Sequence, residues 1–305
     1  MAYTATTNTN CRISTNTEFQ TWGSWISDAI GNTGLVQTAD TGQIDWSTVA
    51  CPSAPSTMQG YEIWRFNDAL QSVSPVFLRI DYGSGSVNTV PAFRWTLGSG
   101  STGNGTLSGF LTRDQSGASG NAHTILQAAS VFANNTLVSY ISGGNNWLIL
   151  AMNARGTGGT TSHICCIGFE RTIDANGLPI ADGVLVSFKA GGNPAYGQSV
   201  WSPTLGWIGN DVAADAWGML TPFLGGGTTG SNVAVYPVFH SWGGGAFLNP
   251  GFNFLGYWNS EITVNTANTF TYYGESHTYM PLGNSSFGTI SARGNTQIAV
   301  MMRWE

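Results

Sequence analysis

The residues of this chain that could do acid–base, nucleophilic or metal chemistry are few and scattered. Its four histidines, His123, His163, His240 and His277, lie far apart. None has a second His or a carboxylate at metal-ligand spacing. The four cysteines are Cys11, Cys51 and the adjacent pair Cys165–Cys166, with no C-x-x-C among them, so neither a zinc nor a redox motif is present. His163 stands two residues before Cys165 in a strand-like run, where a Cys–His nucleophilic pair can be drawn. A reactive thiolate needs an activating setting, and a structural histidine is the simpler reading. Buried reduced thiols are expected, with an intersubunit disulfide after lysis as the alternative. Neither H-E-x-x-H nor G-x-S-x-G occurs.

Two further patterns invite chemistry. Gly98-Ser99-Gly100-Ser101-Thr102-Gly103 matches G-x-G-x-x-G after a strand. A dinucleotide site also needs a helix to open there, and Asn104-Gly105-Thr106-Leu107 cannot start one, so a flexible hairpin loop is expected. Asp211, Asp215, Glu261 and Glu275, in the aromatic second half, are the available supply for a glycosidase pair. Tryptophans there could stack sugar rings, but Trp is more often spent on cores and interfaces. The expectation is a non-enzyme with no catalytic residue, no cofactor and no metal. Trp201, Trp207, Trp242 and Trp258 are the candidate interaction residues.

Composition sharpens this. Only 9% of the 305 residues are charged, against roughly 25% in a typical soluble domain. Gly contributes 41 residues, Trp 12 and Phe 15, and the one lysine is Lys189. Ten Lys+Arg against 16 Asp+Glu supply no basic stripe for nucleic acid. Disorder would bring fewer aromatics and more charge. The longest apolar run, Trp147-Leu148-Ile149-Leu150-Ala151-Met152, is strand-sized, so no membrane insertion is expected. The opening Met1-Ala2-Tyr3-Thr4-Ala5-Thr6-Thr7 has neither a basic region nor an apolar core, which predicts no secretory signal and synthesis in the cytoplasm. Proteins usually stay apart through solvated charges, whereas interface centres are poor in charge and rich in aromatic rings. Low charge with many rings suits a surface covered by copies of itself or by partners; a monomer with a neutral polar skin is the alternative.

The elements that would position these residues are mostly strands. Thr15-Asn16-Thr17-Glu18 reads as a capping box. Phe19, Trp22, Ile26, Ala29 and Ile30 then follow at helical spacing, with Gly31 or Gly34 as the stop. The period then turns to two. In Pro75–Tyr82, Val76, Leu78, Ile80 and Tyr82 share one face and Phe77, Arg79 and Asp81 the other. Asn67–Gln71 is a candidate helical turn, Gly83–Ser86 a turn, and Asp174-Ala175-Asn176-Gly177 a tight hairpin. Strands are expected at Tyr61–Phe66, Ala92–Leu97, Asn146–Asn153, His163–Arg171, Gly183–Lys189, Asn232–His240, Glu261–Val264, Phe270–Tyr273 and Gln297–Trp304. This predicts a mostly β fold, an antiparallel β-sandwich or barrel-like sheets with one N-terminal helix. Residues 1–190 form the helix plus β core and 191–305 a loop-rich aromatic β region, with no linker between them.

The segments Gly34–Thr38, Asp40–Trp46, Gly60–Asp68 and Pro75–Gly85 resemble the opening of structural proteins of tailed bacteriophage particles. The ending, Tyr279-Met280-Pro281-Leu282-Gly283 and Met302-Arg303-Trp304-Glu305, is similar to the same group. The resemblance is strongest over the first hundred residues, and it carries over no catalytic residue. It implies a virion protein (tail, neck, fibre or capsid decoration) that assembles with copies of itself, threefold symmetry being common for such parts, and with other virion proteins. Two rivals remain: a glycan-binding module that recognises the host surface, and a tail-associated glycoside hydrolase.

Overall fold

The computed structural model describes residues 2–10, 12–85, 90–110, 123–127, 136–155, 162–173, 178–189, 196–202, 206–213, 234–237, 254–258, 266–272, 275–282 and 299–304. Strand β1 (Tyr3–Asn10) precedes the helix α1 (Asn16–Asn32). Then come β2 (Val36–Gln37), β3 (Met58–Arg65), β4 (Phe77–Ser84), β5 (Pro91–Ser101), β6 (Leu107–Phe110) and β7 (His123–Gln127). The middle of the chain holds β8 (Thr136–Gly144), β9 (Trp147–Arg155), β10 (Ser162–Ile173), β11 (Pro179–Lys189), β12 (Tyr196–Ser202) and β13 (Gly206–Ala213). Last are β14 (Ala234–Pro237), β15 (Phe254–Trp258), β16 (Asn268–Tyr272), β17 (Glu275–Pro281) and β18 (Ala299–Arg303).

These strands form three antiparallel sheets. The largest runs β1-β8-β9-β10-β11-β12-β13, the second β2-β3-β4-β5-β6 with β7 also on β5, and the third β14-β15-β18-β17-β16. The fold is mostly β and sandwich-like, as the strand periodicity predicts, with one α-helix among the described residues, near the N-terminus. Residue 190 falls between β11 and β12, within the consecutive strand series of the largest sheet.

The helix forms for the reasons visible in its residues. Thr15 Oγ1 accepts from the Glu18 N–H at 3.2 Å, and the Glu18 carboxylate accepts from the Thr15 N–H at 3.0 Å. Phe19, Trp22, Ile26, Ala29 and Ile30 are all buried. The helix stops at Asn32, Thr33 caps it, and Gly34 follows with φ +98°.

The apolar stripe of α1 shares one core with the second sheet and one face of the largest sheet. Trp22 stacks on Phe93 at 5.0 Å, and Tyr82 meets both rings edge-on. Val76, Leu78, Ile80 and Tyr82 all enter this core, as their common parity requires. Its opposite wall is made by Leu148, Leu150, Met152, Cys165, Ile167 and Phe169.

Residues of the other parity, Trp147, Ile149, Ala151 and Cys166, form a second core with Met280, Leu282 and Met302 of the third-sheet region. Strand β9 is therefore buried on both faces, which explains why its sequence is a continuous apolar run instead of an alternating one. The vicinal cysteines point into different cores.

Several expectations change. Gly83 and Ser84 belong to β4 rather than to a turn, and Gly98–Ser101 continues β5 as strand. The candidate helical turn is a short 3-10 segment, Ala69–Ser72. β10 and β11 pair antiparallel around residues 174–177, which lie outside the described residues, as does Glu261–Val264. Strands β1, β6, β7, β8, β12, β13, β15 and β17 are additional to those expected. No helix among the described residues is long and apolar enough to cross a membrane.

Candidate functional site

The structure brings two of the four candidate tryptophans together. Trp201 on β12 and Trp207 on β13 are direct register partners, one pair from the connecting end of the two strands that end the largest sheet. Trp258 ends β15, in the third sheet, opposite Ala234. Trp242 lies outside the described residues. The carboxylates considered for sugar chemistry do not share an element: Asp211 is on β13 and Glu275 opens β17, while Asp215 and Glu261 lie outside the described residues. Among the described residues, no group of three or more His, Cys, Asp or Glu is placed to hold a metal ion. His123, His163 and His277 fall on β7, β10 and β17. Cys165 and Cys166 are buried thiols, and Cys51 is half-buried with its thiol pushed up by burial and then by the Glu18 charge.

The chemistry-bearing side chains that do converge are ones singled out only as members of a motif. Glu62 on β3 is 1% exposed, yet it projects into the aromatic core between α1 and β4. Its Oε1 accepts from Ser27 Oγ at 2.6 Å and from the Trp46 indole N–H at 2.9 Å. Its Oε2 accepts from the Tyr82 hydroxyl at 2.6 Å and from the Trp64 indole N–H at 3.2 Å. Four neutral donors thus surround one carboxylate, satisfying it without a cation. Burial, then the Glu62 charge, pushes the Tyr82 phenol well above the ordinary tyrosine value. Two indoles pointing inward at one acid hold the helix, the 40–46 segment and the sheet together. Gly23 makes room for the Trp46 ring, since a Cβ there would lie 2.0 Å from it.

A second cluster clasps the glycine-rich hairpin. Asp40, 8% exposed, accepts from Thr38 Oγ1 at 2.5 Å, from the Gly105 N–H at 3.1 Å and from Ser101 Oγ. Burial pushes its carboxyl up, but hydrogen bonds from Ser101, Thr38, Gly105 and Gly103 outweigh that and leave it below its usual value. Arg79 donates to the Gly105 carbonyl at 2.5 Å, pairs with Asp81 at 2.5 Å, and lies 4.2 Å above the Tyr61 ring. The Tyr61 hydroxyl donates to the Thr41 carbonyl at 2.6 Å. Gly105 has φ +86°, and a Cβ there would fall 2.1 Å from that hydroxyl. The hairpin expected to be flexible is tied at both carbonyl and amide; the correction follows from partners between 26 and 65 residues away in sequence.

The third cluster is an ion pair. Arg171 on β10 is 1% exposed and donates through Nε and Nη2 to Asp68, and through Nη1 to the Ser74 carbonyl at 2.9 Å. Its guanidinium also lies 5.4 Å from the Phe66 ring centre. This bidentate contact pins the 3-10 segment, beside the second sheet, to the largest sheet.

Glu62 was legible in principle. It shares strand parity with Trp64 and Phe66, so a charge stands on the core-facing side of β3. The charged partner of Arg171 and the Ser101 and Gly105 partners of Asp40 are long-range and leave no local signal. Comparison of the chain with protein-family models, curated proteins and solved structures finds no match.

Proposed function

We propose that this chain is a non-enzymatic structural subunit of a tailed-bacteriophage particle, acting by assembly with copies of itself and with other virion proteins. The observation that carries the reading is where the few charges go. Glu62, Asp40, Asp81, Glu170 and Arg171 are all buried. A chain with only 9% charged residues thus turns several of those it has inward, where they hold its own segments together. Neutral hydroxyls and amides lose little on desolvation when a neighbour replaces water, which favours a surface that is covered in use. The segments similar to virion proteins support the same reading. Glu62 takes bonds from Trp46 and Tyr82, Arg79 pairs with Asp81, and Asp40 holds Thr38, Ser101 and Gly105, bonds that tie segments of a scaffold together.

The test is to probe purified phage particles with an antibody against the chain while measuring the pure chain by sedimentation. Labelled particles and an oligomeric chain are expected. A freely soluble single copy, absent from particles and releasing reducing ends from host polysaccharide, overturns the reading.

The Trp201–Trp207 register pair favours one second reading, a host-glycan binder with paired aromatic residues near the connecting end of β12 and β13. Selective binding on a glycan array that vanishes in Trp201→Ala and Trp207→Ala would establish it.

A further inference from the structure

Among the described residues, seven strands stand at sheet edges, β7 on β5 being five residues long, and most are short or carry a device that blunts pairing with another chain. β2 is two residues long, and β6 is four. β14 is four residues and ends in Pro237, and β16 is five. β13 contains Asp211, and its ladder with β12 shifts register. β1 differs from all of these. It runs for eight residues in unbroken register against β8, from Tyr3↔Gly143 to Asn10↔Thr136. It contains no charge, no proline and no glycine.

We infer that the outer edge of β1 pairs antiparallel with the β1 of a second copy of this chain, joining two seven-stranded sheets into one. This rests on the assembly reading above and names the surface it uses. The occupant follows from symmetry and charge. An edge that pairs with its own copy about a twofold axis sets the same short sequence against itself in reverse, so an ionic residue near the middle of the strand would lie beside its own copy and repel. Tyr-Thr-Ala-Thr-Thr-Asn-Thr-Asn has none to meet. Its exposed side chains, Thr6, Asn8 and Asn10, lie on one face, and both Thr and Asn can donate to and accept from an identical neighbour. Tyr3 and Ala5 pack on the core, which holds the strand straight before any partner arrives. Main-chain hydrogen bonds would supply the attraction, as in other strand additions. The contact is twofold, in place of the threefold arrangement that the resemblance suggests.

Thr6→Lys/Asn8→Lys and Thr6→Glu/Asn8→Glu test this, since both positions are exposed. Sedimentation equilibrium should give a dimer for the unaltered chain and a dissociation constant raised by about tenfold or more in each double variant. An equimolar mixture of the Lys and Glu variants should re-associate, which a folding defect cannot imitate. Hydrogen exchange of residues 3–10 in the unaltered chain should slow as concentration rises. An oligomer that ignores both double variants, or exchange in β1 that is independent of concentration, overturns this contact. Particle labelling by the antibody would still stand in that case, so the two failures are separable. A monomer at every concentration, or a β1 edge occupied only by a different virion protein, also overturns it.

Discussion

Glu62 and Arg171 are two buried charges held in opposite ways. Arg171 meets a counter-ion, Asp68, from another part of the chain and donates to it through two nitrogens. Glu62 meets no cation and is satisfied by two indoles, a phenol and a serine hydroxyl. The ion pair balances charge at one point, so losing a partner leaves a bare ion in the interior. The carboxylate cage spreads the same task over four neutral bonds from four segments, and each can be lost singly. The difference teaches how a chain this poor in lysine and arginine can still bury an acid: its tryptophans serve as donors as well as packing.

Breaking the ion pair should have the largest effect. Asp68→Ala leaves the Arg171 guanidinium buried and unpaired and should cost about 3–5 kcal/mol, read as a lowered denaturant midpoint. Replacing both partners together, Asp68→Leu with Arg171→Met, should cost less than Asp68→Ala alone. A double variant that is the less stable of the two would show that the pair is not the unit described here. Glu62→Gln comes next, at about 2–3 kcal/mol. An amide has one acceptor oxygen in place of two, so one pair of donors loses its bond.

Removing a single donor should matter less still. Tyr82→Phe is expected to cost about 1–2 kcal/mol in the same melt. An equal loss in Tyr82→Phe and Glu62→Gln would mean that the cage behaves as one bond instead of four. The phenol also gives a pH test. A group whose ionisation is raised on folding stabilises below its unfolded value, and that contribution disappears as the pH rises through the folded value. Tyrosinate absorbance should therefore show one tyrosine that ionises only as the chain unfolds in alkali.

Asp40 gives the smallest effect and the opposite sign. Its carboxyl is lowered on folding, so the contribution is present above the unfolded value and fades as the pH falls through the folded one. Acid should loosen the hairpin at Gly103–Gly105 before the core melts. Amide exchange there, compared with that at Glu62's neighbours, checks the order.

How much of this could be read beforehand depends on locality. The helix was legible because its cap and its stripe lie within one short segment, and β4 because its apolar parity contrasts with Arg79 and Asp81. β1 was not, since Thr and Asn at alternate positions give no contrast between faces. β8 was missed for a related reason: buried on both faces, it alternates Ser and Gly with apolar residues and shows neither period cleanly. In the aromatic second half, Gly and Trp in β12 and β13 dilute the strand signal, so these two strands gave no clear period. Glu62 had a signal in its parity, while Arg171 and the hairpin-facing bonds of Asp40 depend on partners that no short window of sequence contains.

The order of strands in the third sheet bears on how the nascent chain matures. β18 sits between β15 and β17, both of which leave the ribosome before it. Until residues 299–303 emerge, those two strands have no common neighbour, and Met280 lacks the Met302 that completes its packing. The helix and the second sheet can close while synthesis continues. The third sheet has to wait for its centre.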